Sequence, residues 1–392
     1  MSEIHFSPGV RSVESYPFEE LDRRVKAAID EGRSPVDFGV GDPRDETPAF
    51  IRDALTASVG AVSSYPRAAG LLELRRSIAS WVERRFGVTA DPDHEIQPIL
   101  GSKELVFSLA QIVVDPAAGK DLVITTAPGY PIPERGARFA GAEVIRLPLA
   151  EERGFLPDLD AVPQDVWARA SILWLNYPNN PTGAVAPLAF LEDAAARCRA
   201  ESVLLASDEA YSELWFGDAP PPSVLQLDDR ANVVAINTLS KRSSMTGYRS
   251  GFVAGDHRVI DALRRLRPST GVTPQIFVQR ASVAAWEDED HVAEGRARYA
   301  EKRRTMLEVF ARRGVHVAAS DATFYLWVAV PGRRPSYDWA LELLDRGDVV
   351  VAPGSFFGPE GEGYVRMAMV PTLADCERAA EVLDGILAEV RA

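Results

Sequence analysis

Apolar residues recur with a helical period over 18–31, 71–86, 105–114, 188–200, 259–266, 292–313 and 374–390. Between several of these stretches lie short runs that are apolar or β-branched throughout: 122–125, 144–147, 172–175, 203–206, 233–236 and 252–254. A strand with one face in water alternates polar and apolar residues. A strand covered on both faces has no reason to, so these runs predict the buried strands of a parallel sheet with helices between them. The pattern is that of an α/β protein.

The last quarter reads differently. After the long polar helical stretch come apolar runs at 322–330, 349–352 and 364–370, then a closing helix. This predicts a smaller α+β unit. The acidic run Glu287-Asp288-Glu289-Asp290 marks a solvated turn, so the boundary is placed at 286–291. The expected division is a large unit over 36–288 and a small unit made of 1–35 and 289–392. No internal repeat or low-complexity tract interrupts either.

Length and composition narrow the function. At 392 residues the chain is long enough for two or three domains. With 43 basic and 57 acidic residues its formal charge is −14, which disfavours nucleic acid and anionic membrane as partners. The two cysteines, Cys198 and Cys376, lie far apart and form no CxxC pair, so neither a disulfide framework nor a bound metal is expected. The start of the sequence has no basic and apolar leader, and no apolar run nears the ~18 residues that span a bilayer. The expectation is a cytoplasmic enzyme or binding protein.

Ligands of such a sheet bind beyond the carboxyl ends of its strands, so the residues following each predicted strand matter most. After 172–175 comes Asn176-Tyr177-Pro178-Asn179-Asn180-Pro181-Thr182-Gly183, a stiff loop in which an Asn can offer a hydrogen bond. After 203–206 comes Ser207-Asp208-Glu209-Ala210-Tyr211. An Asp at that place caps a helix about as often as it serves a ligand, and no His lies near to favour a metal. After 233–236 comes Asn237-Thr238-Leu239-Ser240-Lys241-Arg242, with Arg249 eight residues beyond the lysine. Hydroxyls with a guanidinium make a phosphate cradle. A lysine beside such a cradle, with an Asp from a neighbouring strand, is the constellation that pyridoxal 5′-phosphate needs.

On these motifs, in this order, the chain resembles the class I/II aminotransferases, enzymes of fold type I that depend on pyridoxal phosphate. The resemblance runs over nearly the whole chain. It implies a large domain with a mostly parallel seven-stranded sheet between helices, plus a small α+β domain. It implies that Lys241 carries the cofactor as a Schiff base, Asp208 pairs with the ring nitrogen, and Tyr211 and Asn180 hydrogen-bond the phenolic oxygen. Thr238, Ser240, Arg249 and the backbone of Gly101-Ser102-Lys103 would hold the phosphate, the last at a helix start where the dipole favours an anion. Tyr130, in Pro128-Gly129-Tyr130-Pro131, would stack on the ring. Tyr65 would reach the phosphate of a neighbouring subunit, which implies a homodimer with shared sites. Arg366 would grip the substrate α-carboxylate, with Gly41 and Asn180 also at the substrate. Thr238 stands where a Ser is frequent in the family and keeps the hydroxyl.

The stretches Ser240-Lys241-Arg242-Ser243-Ser244-Met245-Thr246-Gly247-Tyr248-Arg249 and Val351-Ala352-Pro353-Gly354 are similar to bacterial N-succinyldiaminopimelate aminotransferases of lysine biosynthesis, which implies glutamate and 2-oxoglutarate as the amino donor pair. A substrate with extra carboxylates calls for another cation, for which Arg44, Arg67 and Arg242 are candidates. Aminotransferases of aspartate, aromatic amino acids or LL-diaminopimelate remain alternatives. So do a cofactor-dependent β-lyase of sulfur amino acids and, more remotely, a pyridoxal-phosphate-sensing regulator.

Overall fold

A computed structural model describes residues 4–11 and 19–390. Phe18, with which the first helical stretch was expected to open, lies outside them. Among the described residues twelve strands form three sheets. β1 (Val36–Asp37) pairs in parallel with β10 (Val349–Val350). β11 (Ala352–Pro353), β12 (Tyr364–Ala368) and β9 (Tyr325–Ala329) form an antiparallel sheet in that order. The remaining seven are β2 (Ile96–Ile99), β3 (Leu122–Ala127), β4 (Glu143–Pro148), β5 (Ala170–Asn176), β6 (Leu204–Asp208), β7 (Val233–Thr238) and β8 (Gly251–Gly255).

These seven make one sheet in the order β2-β8-β7-β6-β5-β3-β4. β8 runs antiparallel to both its neighbours, and the other pairings are parallel. Successive side chains point to opposite faces. Leu122, Ile124, Leu173, Leu205 and Val233 enter one core with the helices Leu72–Phe86, Leu188–Ala200 and Ile276–Glu287. Val123, Ile172, Trp174, Leu204 and Val234 enter the other, with Ser102–Ser108, Ile132–Phe139 and His257–Thr270. This two-faced burial is why the strand sequences do not alternate. Burying each Leu or Ile contributes about 1.5–3 kcal/mol.

The helix Leu72–Phe86 buries Leu74, Ile78, Trp81 and Val82 along one stripe and stops at Gly87, whose φ of 72° suits a residue without Cβ. β2 went unread in the sequence because Pro98 interrupts its apolar pattern. Proline is tolerated there because β2 lies at the sheet edge and pairs with β8 alone.

Residues 36–38 pack with the C-terminal core and not with the seven-stranded sheet. Val36 and Phe38 are buried with Trp339, Leu343, Val365 and Leu383 in the C-terminal core. Phe38 N donates to Val350 O, and Ala368 N donates to Phe38 O. The chain from 36 to 41 therefore joins the small unit and passes from it straight over the site. The long helix Asp290–Arg312 packs against Leu373–Glu389 to close that unit. No helix among the described residues is long and apolar enough to cross a membrane.

Candidate active site

The parallel strands β5, β6 and β7 deliver their carboxyl ends to one place. Asn176 closes β5, and its side chain donates to Asp208 O at the end of β6 while accepting from Asn180 N at 2.9 Å. Asn179 accepts both the backbone N–H and the hydroxyl of Thr182. The Asn-Pro loop is thus fastened from within, and Asn180 is set over the strand ends.

Asp208 is buried, and its Oδ1 accepts only the Ala210 N–H, at 3.3 Å. Desolvation pushes its carboxyl up to about 6, against the pull of that N–H. A buried carboxylate without a cation is costly, so its surroundings favour a protonated nitrogenous partner. Tyr211, three residues on, is also buried, with its hydroxyl 2.9 Å from that of Tyr325.

β7 ends at Thr238, which caps the short helix Leu239–Arg242 by accepting Ser240 N. Lys241 leaves this turn toward the small unit, where Nζ donates to Gly41 O at 2.5 Å and lies 5.5 Å from the Phe324 ring centre. Burial presses its amine down to about 8. Asp42 opposes the shift, while Arg366, Arg249 and Lys103 add to it. An amine with that affinity exchanges its proton near neutral pH.

The anion cradle is legible in a glycine. Gly101 (φ 74°) faces the guanidinium of Arg249, and a Cβ there would overlap it. Arg249 is itself left-handed (φ 53°), with Nη1 donating to Thr246 O. The Thr238 hydroxyl lies 3.0 Å from both Ser240 Oγ and Ser250 O. Ser102 and Lys103 open the helix that follows Gly101.

Arg366 on β12 completes the centre. It is 5% exposed. Nη1 donates to Asn180 Oδ1 at 2.9 Å and Nη2 to Gly39 O at 2.6 Å, while Nε has no protein partner. The guanidinium carbon lies 4.3 Å from the Tyr325 ring centre and 4.6 Å from that of Phe357. A guanidinium packed against two aromatic rings, with donor capacity to spare, suits a carboxylate.

The structure thus brings together Gly41, Asn180, Asp208, Tyr211, Lys241 and Arg366, with Gly101 and Arg249 beside them. Tyr130 is half-buried, in a loop pinned by Gly129 N to Phe357 O. Tyr65 is 100% exposed in the single chain and meets none of the site. Arg44 pairs with Asp37, and Arg67 is exposed. Arg242 is not a substrate cation. It is buried against Trp81 and Trp286, pairs with Glu289 at 2.8 Å and donates to Ala285 O and Asp288 O. One helical residue turns by ~100°, so the neighbour of a site-facing lysine faces the core instead. Sequence reasoning missed Asn176, Phe324 and Tyr325. The last two read as ordinary apolar strand residues.

These residues fit pyridoxal phosphate on three counts: the buried carboxylate of Asp208, which has no cationic partner among the described residues, the amine of Lys241 and the cradle that a Cβ on Gly101 would fill.

Residues 33–383 match the family described as aminotransferase class I and II. An LL-diaminopimelate aminotransferase of Aquifex aeolicus is 37% identical over 388 residues, 98% of each chain. The crystal structure of an aminotransferase from Neisseria meningitidis superposes with a TM-score of 0.90 at 35% identity, covering 98% of this chain and 99% of that one. A probable N-succinyldiaminopimelate aminotransferase of Thermus thermophilus gives 0.87 at 31%, covering 94% and 99%. Likeness of this extent, in sequence and in backbone alike, makes the chain a member of the class I and II aminotransferases, with the fold type I architecture and the pyridoxal phosphate dependence of that family.

Proposed function

We propose that the chain transfers an amino group between LL-diaminopimelate and 2-oxoglutarate. The observation that carries this is the full-length likeness to LL-diaminopimelate aminotransferases, which favours the free diamine over the N-succinylated form that the sequence motifs suggested. The site offers fitting charges. Besides Arg366, the acid Asp42 and the cation Lys103 both act on the charge of Lys241, so the neighbourhood of the amine holds groups of both signs.

Bound pyridoxal phosphate supplies an electron sink and a carrier for the amino group. The remaining work falls to the side chains. Lys241 attaches the cofactor and, once free, moves a proton at the substrate Cα, for which an amine pressed down to about 8 is suited. Asp208 keeps the ring nitrogen protonated. Tyr211 and Asn180 bond the phenolic oxygen, and Tyr130 packs on the ring. Arg249, Thr238, Ser240 and the backbone of Gly101, Ser102 and Lys103 hold the phosphate. Arg366, with Asn180 and Gly41 beside it, orients the α-carboxylate and so decides which Cα bond is aligned to break.

The working form we propose is a cytoplasmic homodimer in which Tyr65 reaches the partner's phosphate. Tyr65, Val62 (84%) and Val59 (61%) form an exposed stretch that a second copy would cover.

The test is glutamate formation by loaded enzyme with LL-diaminopimelate and 2-oxoglutarate, run beside N-succinyl-LL-diaminopimelate, aspartate and phenylalanine as donors. Preference for LL-diaminopimelate is expected. Preference for the succinylated donor restores the lysine-pathway variant read from the motifs, and preference for aspartate or phenylalanine removes the diaminopimelate assignment.

A further inference from the structure

Tyr325 touches both the substrate side and the cofactor side of the site. Its ring lies under Arg366 at 4.3 Å. Its hydroxyl is 2.9 Å from that of Tyr211, and the two rings meet edge-on at 5.4 Å. It also fills the space left by Gly41, where a Cβ would overlap the Tyr325 hydroxyl. The side chain is 3% exposed, and packing alone would be served as well by phenylalanine.

The backbone fixes this placement. Tyr325 N donates to Thr323 Oγ1 at 2.9 Å. Thr323 sits at φ 66°, a conformation rare for a β-branched residue. Thr323 N donates to Leu214 O at 2.6 Å, and Trp215 forms an antiparallel bridge with Ala322. The turn that carries Tyr211 and the start of β9 are therefore stitched together, and the two hydroxyls are held as a pair.

We infer that Tyr325 is a positioning residue whose O–H donates to Tyr211 Oη, so that the proton of Tyr211 is presented to the cofactor's phenolic oxygen. The Arg366 cation over the Tyr325 ring draws electron density from the phenol and strengthens it as a donor. Tyr325 faces the Tyr211 hydroxyl directly, and the charges of Arg366 and Asp208 act on it. The inference rests on the transaminase chemistry and is independent of which amino acid is the substrate.

A spectroscopic cycle on the loaded enzyme, with no substrate present, tests it. The pH midpoint of the cofactor's visible absorbance reports the proton held at the Lys241 nitrogen. Weaker donation by Tyr211 leaves the neighbouring oxygen's negative charge less stabilised, and that proton is held more tightly. Y325F is expected to raise the midpoint by about half a unit, the worth of one lost hydrogen bond. Phenylalanine keeps the ring beneath Arg366, so the variant retains its packing. In a Y211F background the further change Y325F is expected to move the midpoint no more. An unchanged midpoint in Y325F, or an equal additional shift in the double variant, overturns the inference, and both readouts stand whatever the substrate assay shows.

Discussion

Arg366 donates to the side-chain oxygen of Asn180 at 2.9 Å, so the residue proposed for the substrate carboxylate and a residue proposed for the cofactor's oxygen share one hydrogen bond. Loss of the fork has two costs. The substrate carboxylate loses its paired donors, and Asn180 and Gly39 O lose theirs. Arg366→Lys is therefore expected to lower kcat/KM by about 30-fold or more, with KM rising. Steady-state kinetics with glutamate would measure it, and an unchanged KM would show that the carboxylate binds elsewhere.

Burial holds the Lys241 amine at about 8 rather than its ordinary 10.5. Only the neutral amine attacks a carbonyl. The rate at which the cofactor-free protein takes up pyridoxal phosphate should therefore rise with pH to a plateau above about 8. Stopped-flow absorbance would show it, and a midpoint near 10.5 would mean that the pocket does not perturb the amine. Lys241→Ala is expected to abolish both turnover and the visible band.

Asp208 gives a stability prediction of definite sign. Its folded value, about 6, lies above the ordinary 3.8. Between pH 4 and 6 the folded cofactor-free protein keeps a proton that the unfolded chain has released. Its stability therefore falls as pH rises through that window, by about 3 kcal/mol in all. Asp208→Asn removes this loss, so the cofactor-free variant should be the more stable protein at pH 8 and gain little at pH 4. Glu209, raised to about 7 by the same burial, contributes in the same direction in both proteins and cancels from the comparison. Urea unfolding at the two pH values decides. Equal stability at pH 8 would show that Asp208 finds a compensating partner.

Gly101→Ala puts a methyl group where the Arg249 guanidinium lies, on a residue already at φ 74°. Displacing one charge-assisted contact from the phosphate should weaken cofactor binding by about 10- to 100-fold. Equilibrium dialysis of the cofactor would measure it. Unchanged affinity would remove Arg249 from the phosphate site.

Tyr65 is fully exposed in one chain. If a second copy covers it, light scattering under assay conditions gives the mass of two chains, and Tyr65→Phe weakens cofactor binding by about three- to tenfold. A single-chain mass in an active sample contradicts both the dimer and the role of Tyr65.

Lys241 and Asp208 stood out in the sequence because they lie at or just past the ends of buried strands, and because two such groups on neighbouring strands have few joint uses. Helices with one wet face, such as Leu188–Ala200, were readable from their period. The helix Ile276–Glu287 was not, because it is buried on several sides and its apolar residues mark no single stripe. Arg242 was misread because nearness along the chain carries no direction. The pairing of β1 with β10 was not legible because two-residue strands find each other only in the folded chain. Tyr325 was invisible for a related reason. Nothing local separates a hydroxyl placed for a neighbour from one that merely packs.

The bonding of residues 38 and 39 to β12 has a temporal consequence. The groups proposed to hold the cofactor within one chain lie between residues 101 and 249, but Arg366, proposed for the substrate carboxylate, comes much later. At ~5–20 residues per second a ribosome finishes the cofactor-facing half several seconds before the substrate anchor exists. The nascent chain therefore carries the residues proposed for pyridoxal phosphate before it carries the one proposed for the substrate carboxylate. The proposed grip on the α-carboxylate is the last of these parts to be made.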